Sequence, residues 1–272
     1  QYYDRLEVKS AFPDSAPTVG GTTINITIEG LREDSSYVCV FEDVEEVAAS
    51  MKDNFTLTCD SPKSDYPKTS NMAVRSVNSS PELTLESNIV PFTIYRQPVF
   101  RHVHPTVFYA NYPPEIEISG HEFVNLNNMA CRLDELNVQA RWISSNKILC
   151  IILQITPNRH QRRLYFSPNG IDFVDTNVWL QILPELVLSS VYPNAGSVLG
   201  GINTVITGSG FHASIRYYCS FGDQAVYAKI FNSSIISCLT PPVSKPGTMD
   251  FTLCHSGDCA NANMTYTFEE PL

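Results

Sequence analysis

The residues of this chain best suited to chemistry are its eight cysteines. They fall in order as Cys39 and Cys59, Cys131 and Cys150, Cys219 and Cys238, and Cys254 and Cys259. Thiols can ligate zinc, cycle through redox states or staple a fold, and spacing helps to choose among these. No Cys-x-x-Cys occurs, so neither a zinc ribbon nor thioredoxin-type chemistry has its usual spacing. The first three intervals are 20, 19 and 19 residues. A recurring wide interval is what a disulfide inside a repeated domain produces, and an even count so arranged reads as extracellular or cell-surface. In Cys254-His255-Ser256-Gly257-Asp258-Cys259 a histidine lies between two thiols, yet four intervening turn-forming residues suit a local disulfide better than zinc.

His102 and His104 share a strand face and could share a metal, but no third ligand is in view and an exposed or junction-facing pair is expected. Asp43, Glu45 and Glu46 could attract calcium, with a solvated acidic loop the plainer reading. There is no Gly-x-Ser-x-Gly elbow, phosphate loop, His-Glu-x-x-His or EF-hand pattern, and Gly208-Ser209-Gly210 ends a repeat strand. We expect no enzyme, no cofactor and no metal. Eighteen Lys and Arg against 28 Asp and Glu give a net charge of −10, which argues against nucleic-acid partners. The basic cluster Arg159-His160-Gln161-Arg162-Arg163 reads as a solvated loop or hairpin. No run approaches the ~18 apolar residues of a membrane span, so this segment is not expected to insert into a membrane. The chain opens on Gln1 without a basic-then-apolar leader, and a processed mature end or a portion of something longer is expected.

Five Asn-x-Ser/Thr sequons occur, at Asn25, Asn54, Asn78, Asn232 and Asn263. Asn25 alternates with isoleucines and so points outward, while Asn54 and Asn232 lie five and six residues before the second cysteine of their units. N-linked glycans are expected there in a source with that pathway.

The elements that position these residues repeat. Cys39 and Cys131 are 92 residues apart, Cys131 and Cys219 are 88 apart, and Pro13, Pro105 and Pro193 keep the same two intervals. Gly20-Gly21, Gly30 and Cys39 recur 180 residues later as Gly200-Gly201, Gly210 and Cys219. Within units, Thr23-Ile24-Asn25-Ile26-Thr27-Ile28-Glu29 and Glu115-Ile116-Glu117-Ile118-Ser119 alternate with period two, the mark of half-buried antiparallel strands. Glu42 to Lys52 is the one stretch that could form a short helix. About ninety residues, all-β, with one cross-link per unit is the profile of an immunoglobulin-like sandwich.

The third unit resembles an IPT/TIG domain, the immunoglobulin-like module of plexins, transcription factors and many surface proteins. It carries Tyr192-Pro193, Gly196, Gly200-Gly201, Val205-Ile206-Thr207-Gly208, Gly210-Phe211, Tyr218-Cys219-Ser220-Phe221-Gly222 and Cys238-Leu239-Thr240-Pro241-Pro242. The first unit is similar, with Gly20-Gly21, Gly30-Leu31, Cys39-Val40-Phe41 and Cys59-Asp60-Ser61-Pro62. The second departs most: Tyr112-Pro113 replaces the glycine pair and nothing matches Thr-Pro-Pro after Cys150, although it keeps Ser167-Pro168-Asn169-Gly170-Ile171-Asp172-Phe173. The resemblance implies three tandem sandwiches, at residues 1–96, 97–184 and 185–272, joined by short Pro-stiffened junctions as a semi-rigid rod. It also implies cysteines facing across each sandwich as the structural pairs Cys39–Cys59, Cys131–Cys150 and Cys219–Cys238, with Cys254–Cys259 pinning a hairpin. The leading expectation is a non-enzymatic extracellular structural or adhesion segment, a rod of such repeats in a cell-surface protein or in a fibre or appendage assembled from them, with protein partners or neighbouring copies of itself. A receptor ectodomain, an accessory region of a secreted carbohydrate-active enzyme and, more remotely, a DNA-binding protein are the rivals. A neighbouring unit at each end is also expected, with contacts at Tyr2, Tyr3 and Leu272.

Overall fold

The structure, a computed structural model, describes residues 5–42, 44, 46–77, 85–156 and 159–271. Every regular element among them is a β-strand. The first repeat supplies β1 (Glu7–Phe12), β2 (Ser15–Pro17), β3 (Thr23–Glu29), β4 (Ser36–Phe41), β5 (Glu46–Asp53), β6 (Thr56–Asp60), β7 (Lys68–Val77) and β8 (Val90–Tyr95). The second supplies β9 (Val99–His104), β10 (Val107–Tyr109), β11 (Glu115–His121), β12 (Ala130–Leu133), β13 (Leu136–Ser144), β14 (Lys147–Ile151), β15 (Gln161–Ser167) and β16 (Val174–Leu183). The third supplies β17 (Val187–Tyr192), β18 (Ala195–Ser197), β19 (Asn203–Ser209), β20 (Tyr217–Phe221), β21 (Gln224–Asn232), β22 (Ile235–Leu239), β23 (Gly247–His255) and β24 (Asp258–Glu269).

Each set orders its eight strands identically. The first reads β1-β3-β6-β5-β4-β7-β8-β2, and the same sequence, shifted by eight and by sixteen, describes the other two. In each the second, three-residue strand pairs parallel to the last. The alternation in β3 is literal: Ile24, Ile26 and Ile28 are fully buried while the residues between them are exposed. Burying each such side chain is worth about 2 kcal/mol.

The cysteine pairs sit where each sheet turns a corner. Two strands flanking a third in a flat sheet lie about 9.5 Å apart. The Cα atoms of Cys39 and Cys59 are 6.5 Å apart, those of Cys131 and Cys150 5.7 Å, and those of Cys219 and Cys238 6.3 Å. The strand between them makes this possible by changing partners. β5 pairs with β4 through Glu46–Ala49 and with β6 from Ser50 onward. β13 changes over at Gln139, and β21 between Tyr227 and Ala228. All three then bulge at the same place, between Met51 and Asp53, Trp142 and Ser144, and Ile230 and Asn232. A strand that leaves one sheet for another forms a corner of a sandwich, and the disulfide ties together the two strands it separates.

This corner overturns the short helix expected within Glu42 to Lys52. Glu46–Asp53 is strand β5, with Val47, Ala49 and Met51 turned toward the core. Helix propensity is a weak prior, and here it yields to two ladders that need the same backbone groups.

The glycine pairs have a specific partner. Gly20 and Gly200 both have φ near +70°, and a Cβ on Gly20 would meet the backbone of Pro62 at 2.8 Å, one on Gly200 that of Pro241 at 2.6 Å. Gly21 and Gly201 donate backbone hydrogen bonds to Ser61 and Thr240, beside those prolines. The turn and the residues after the second cysteine therefore form one contact. The second repeat lacks both halves of it together.

The chain folds as two compact units. One comprises Gln1–His104, Glu115–Ile151 and Arg163–Val178; the other comprises Pro105–Pro114, Ile152–Arg162 and Trp179–Leu272. The core of the first is built on Leu6, Ile26, Phe41, Leu57, Val74 and Phe92, and that of the second on Ile206, Tyr217, Phe221, Ile236, Phe251 and Tyr266. Residues that the repeat spacing assigns to the second repeat thus belong to both units.

Candidate interaction surfaces

All eight cysteines are in disulfides, paired Cys39–Cys59, Cys131–Cys150, Cys219–Cys238 and Cys254–Cys259. The six corner cysteines are at most 4% exposed and stand among core side chains. Closing loops of 19 or 20 residues removes roughly 3 kcal/mol of unfolded-chain freedom per bridge. Cys254 and Cys259 are direct partners across the β23–β24 hairpin, whose turn residues Ser256 and Gly257 have φ of 49° and 95°. Positive φ at both central positions is the tight-hairpin geometry whose twist matches the strands it joins. Among the described residues no group of three or more His, Cys, Asp or Glu is placed to hold a metal.

Of the sequon asparagines, Asn25 projects from the exposed side of β3 and accepts a hydrogen bond from Lys52 at 2.8 Å. Asn54 lies in the exposed β5–β6 turn, Asn232 at the exposed end of β21 and Asn263 on β24 with φ of 48°. Asn78 lies outside the described residues, as do Asp43, Glu45, Tyr2, Tyr3 and Leu272. Glu46 is ion-paired with Arg75 across β5 and β7. The rings of His102 and His104 stack on exposed positions of β9, centroids 6.3 Å apart.

The basic cluster is not simply a solvated loop. Gln161 opens strand β15, whose alternation turns Arg162 inward with Leu164 and Phe166, leaving it 8% exposed. Its Nη2 donates to the Thr156 carbonyl at 3.3 Å. Arg163, on the outer side, is ion-paired with Asp175, whose carboxyl it holds below the usual range.

Two polar seams are buried in the structure. In the first compact unit, Asn169 is fully buried and uses every donor and acceptor of its amide. Its Oδ1 accepts from Ser167 Oγ and from the backbone of Ile171 and Asp172, at 2.9–3.1 Å. Its Nδ2 donates to Asp172 Oδ2 at 2.7 Å and to the carbonyl of Ser15 at 2.8 Å. Thr22 Oγ1 donates to the same Asp172 oxygen at 2.7 Å. The Tyr95 hydroxyl lies buried nearby, its pKa raised by burial and by the Asp172 charge.

In the second unit Tyr109, from β10, is 1% exposed and sits in the same core as Tyr217 and Phe221. Its hydroxyl donates to the Gly210 carbonyl at 2.6 Å and lies 2.5 Å from the Tyr217 hydroxyl. Tyr217 also accepts from the His212 backbone at 3.0 Å, as Tyr37, 180 residues earlier, accepts from Arg32 at 2.7 Å. The His255 ring packs on Tyr109 with centroids 4.7 Å apart, and burial lowers its pKa while Asp258 raises it. A motif late in the second repeat marked the first seam. Nothing local marked Tyr109, because its partners lie about a hundred residues away.

A sequence model of the IPT/TIG domain matches residues 98–167 and 186–268, more than half of the chain. The matched ranges include the second repeat, the most divergent by motif, and not the first. Human fibrocystin-L is 23% identical over 209 residues, covering 75% of this chain and 5% of fibrocystin-L. An ankyrin and IPT/TIG repeat-containing protein of Schizosaccharomyces pombe is 30% identical over 87 residues, 32% of this chain and 7% of that protein. The chain therefore spans a small fraction of the length of either relative. Among solved structures, the full extracellular region of plexin A4 aligns over 96% of this chain and 24% of its own, with 13% identity and a TM-score of 0.47.

Proposed function

Because the chain belongs to the IPT/TIG domain family, we propose that it is a non-enzymatic structural or adhesion segment of an extracellular or cell-surface protein. Its three repeats, taken as residues 1–96, 97–184 and 185–272, would present sheet faces to other proteins or to further copies. The observation that carries this reading is the disulfide at the corner of every repeat. Thiols at those positions would be inaccessible and would give up their contribution to stability in a reducing compartment, so the design makes sense where disulfides persist. Exposed sequons at Asn25, Asn54, Asn232 and Asn263 support it, and Asn78 is proposed with them. A secretory route would attach N-linked glycans. Treating protein from its native source with an N-glycanase should lower its mass, with deamidation at two or more of the five asparagines. Unmodified asparagines throughout would remove the secretory reading.

A further inference from the structure

We propose that a cleft beside β10, in the second compact unit, is a binding site for an organic cation, an ammonium or guanidinium group on an apolar stem. The cleft holds about 490 Å³, and every residue that lines it, from Pro105 to Asp258, belongs to that unit. Its walls come from Tyr112-Pro113-Pro114, from Ile152-Leu153 and from the β23–β24 hairpin at His255 and Asp258.

The cleft lies where the first repeat is stitched shut. Register sets Ile24 against Cys59 and Ile116 against Cys150. Gly20, Gly21 and Thr22 therefore correspond to Tyr112, Pro113 and Pro114, and Ser61 and Pro62 correspond to Ile152 and Leu153. In the first repeat the Gly21 N–H donates to the Ser61 carbonyl at 2.8 Å, and the Thr22 N–H donates to the Ser61 hydroxyl at 3.0 Å. Pro113 and Pro114 have no N–H to give, and Ile152 has no hydroxyl to receive one. A Cβ on Gly20 would meet the Pro62 backbone at 2.8 Å, whereas Tyr112 lines the cleft with a ring 37% exposed. One backbone plan thus closes in the first repeat and leaves a cavity with apolar walls in the second.

Two polar side chains line the cleft without partners. His255 is 5% exposed and packed by the rings of Tyr109 and Tyr112, centroids 4.7 and 5.8 Å away, yet neither imidazole nitrogen is hydrogen-bonded among the described residues. Burial lowers its pKa, so at neutral pH the ring is uncharged and one nitrogen is a free acceptor. The half-buried Asp258 carboxylate accepts no hydrogen bond and joins no ion pair among the described residues. The corresponding hairpin of the second repeat satisfies its acid from within: Asp172 Oδ2 accepts from Asn169 and from Thr22, both at 2.7 Å. Pro114, in the place of Thr22, has no hydroxyl to offer.

These walls select the ligand. Asp258 is the one carboxylate that lines the cleft, and no Lys or Arg is among its described lining residues. A buried acceptor beside a carboxylate calls for a group that brings positive charge and more than one N–H, since charge-assisted bonds are the strong ones. Tyrosine rings favour a cation over a neutral group of the same shape. Pro113, Ile152 and Leu153 suit an apolar stem behind the charge. The site does not depend on the adhesion reading, and its failure would leave that reading as it stands.

Titrating the isotope-labelled full chain with benzamidine, followed by NMR, tests it. Saturable shifts are expected at the amides of Asn111, Tyr112 and His255 to Asp258, with a Kd of about 0.1–1 mM for so small a ligand. Benzyl alcohol and benzoate, of similar shape but neutral and anionic, should bind at least about tenfold more weakly. N-acetylarginine amide separates the sources of the cation: tighter binding than benzamidine assigns the site to an arginine side chain of a protein partner, weaker binding to a free cation. Asp258→Asn should weaken benzamidine at least about tenfold. Leu153→Lys, at a side chain 87% exposed, brings the chain's own ammonium to the cleft and should weaken it at least about threefold. Thermal unfolding of each variant checks that the fold survives. The proposal is overturned by the absence of saturable shifts up to ~10 mM benzamidine. Equal binding of benzyl alcohol, or folded Asp258→Asn and Leu153→Lys proteins that bind like wild type, would overturn it too.

Discussion

The side-chain amide of Asn169 donates to the backbone carbonyl of Ser15, 154 residues earlier in the chain, at 2.8 Å, and both residues are fully buried. The bond joins the loop after β15 to strand β2, in different repeats of one compact unit. Asn169 reaches Asp172 and Ser167 as well, so its removal leaves several buried groups without partners.

Asn169→Ala should destabilise the first compact unit by about 3 kcal/mol, since each orphaned buried polar group costs about 1–3 kcal/mol. Urea unfolding followed by a probe in that unit measures it. Hydrogen exchange at residues 15–22 should quicken in the variant. A loss below ~0.5 kcal/mol would mean the seam is solvated rather than buried.

His255 makes stability depend on pH, with a definite sign. Burial holds its folded pKa below the ordinary 6.5, and Asp258 opposes this only in part. Between the folded value and 6.5 the unfolded chain binds the proton more readily, so stability is complete above 6.5 and falls as pH drops toward the folded pKa. The rings of Tyr109, Tyr112 and Tyr217 pack around the imidazole, and Asp258 is the charged group that acts on it. Midpoints of thermal unfolding from pH 7.5 to 5 should decline in the second unit, and His255→Gln should flatten that decline. An unchanged slope in the variant would assign the dependence elsewhere.

Replacing Cys219 and Cys238 together by alanine should cost about 3 kcal/mol, and replacing Cys254 and Cys259 about 2 kcal/mol, because the hairpin loop is shorter. Chemical denaturation of the two variants compares them. A larger loss from the hairpin bridge would show that it does more than close a turn.

Much of this was legible in the chain, and the misses have physical causes. Strands such as β3 and β11 declare themselves by period two, and the 92- and 88-residue intervals declare the repeats. The β5 strand was obscured because Glu42 to Lys52 contains good helix formers, while what decides its state is pairing with β4 and β6. The cluster from Arg159 to Arg163 reads as a solvated loop or hairpin because charge usually is solvated, but the place of Arg162 on β15 turns it inward. Tyr109 could not be read from its neighbours, since its hydroxyl partners Gly210 and Tyr217 are about a hundred residues downstream.

The most direct measurement is disulfide mapping, by non-reducing peptide mass spectrometry, of protein isolated from its native source. Eight cysteines allow 105 connectivities. The expected result is Cys39–Cys59, Cys131–Cys150, Cys219–Cys238 and Cys254–Cys259 with no free thiol. A bridge between different repeats would contradict the three-repeat architecture, and reduced cysteines in the native protein would contradict an extracellular role.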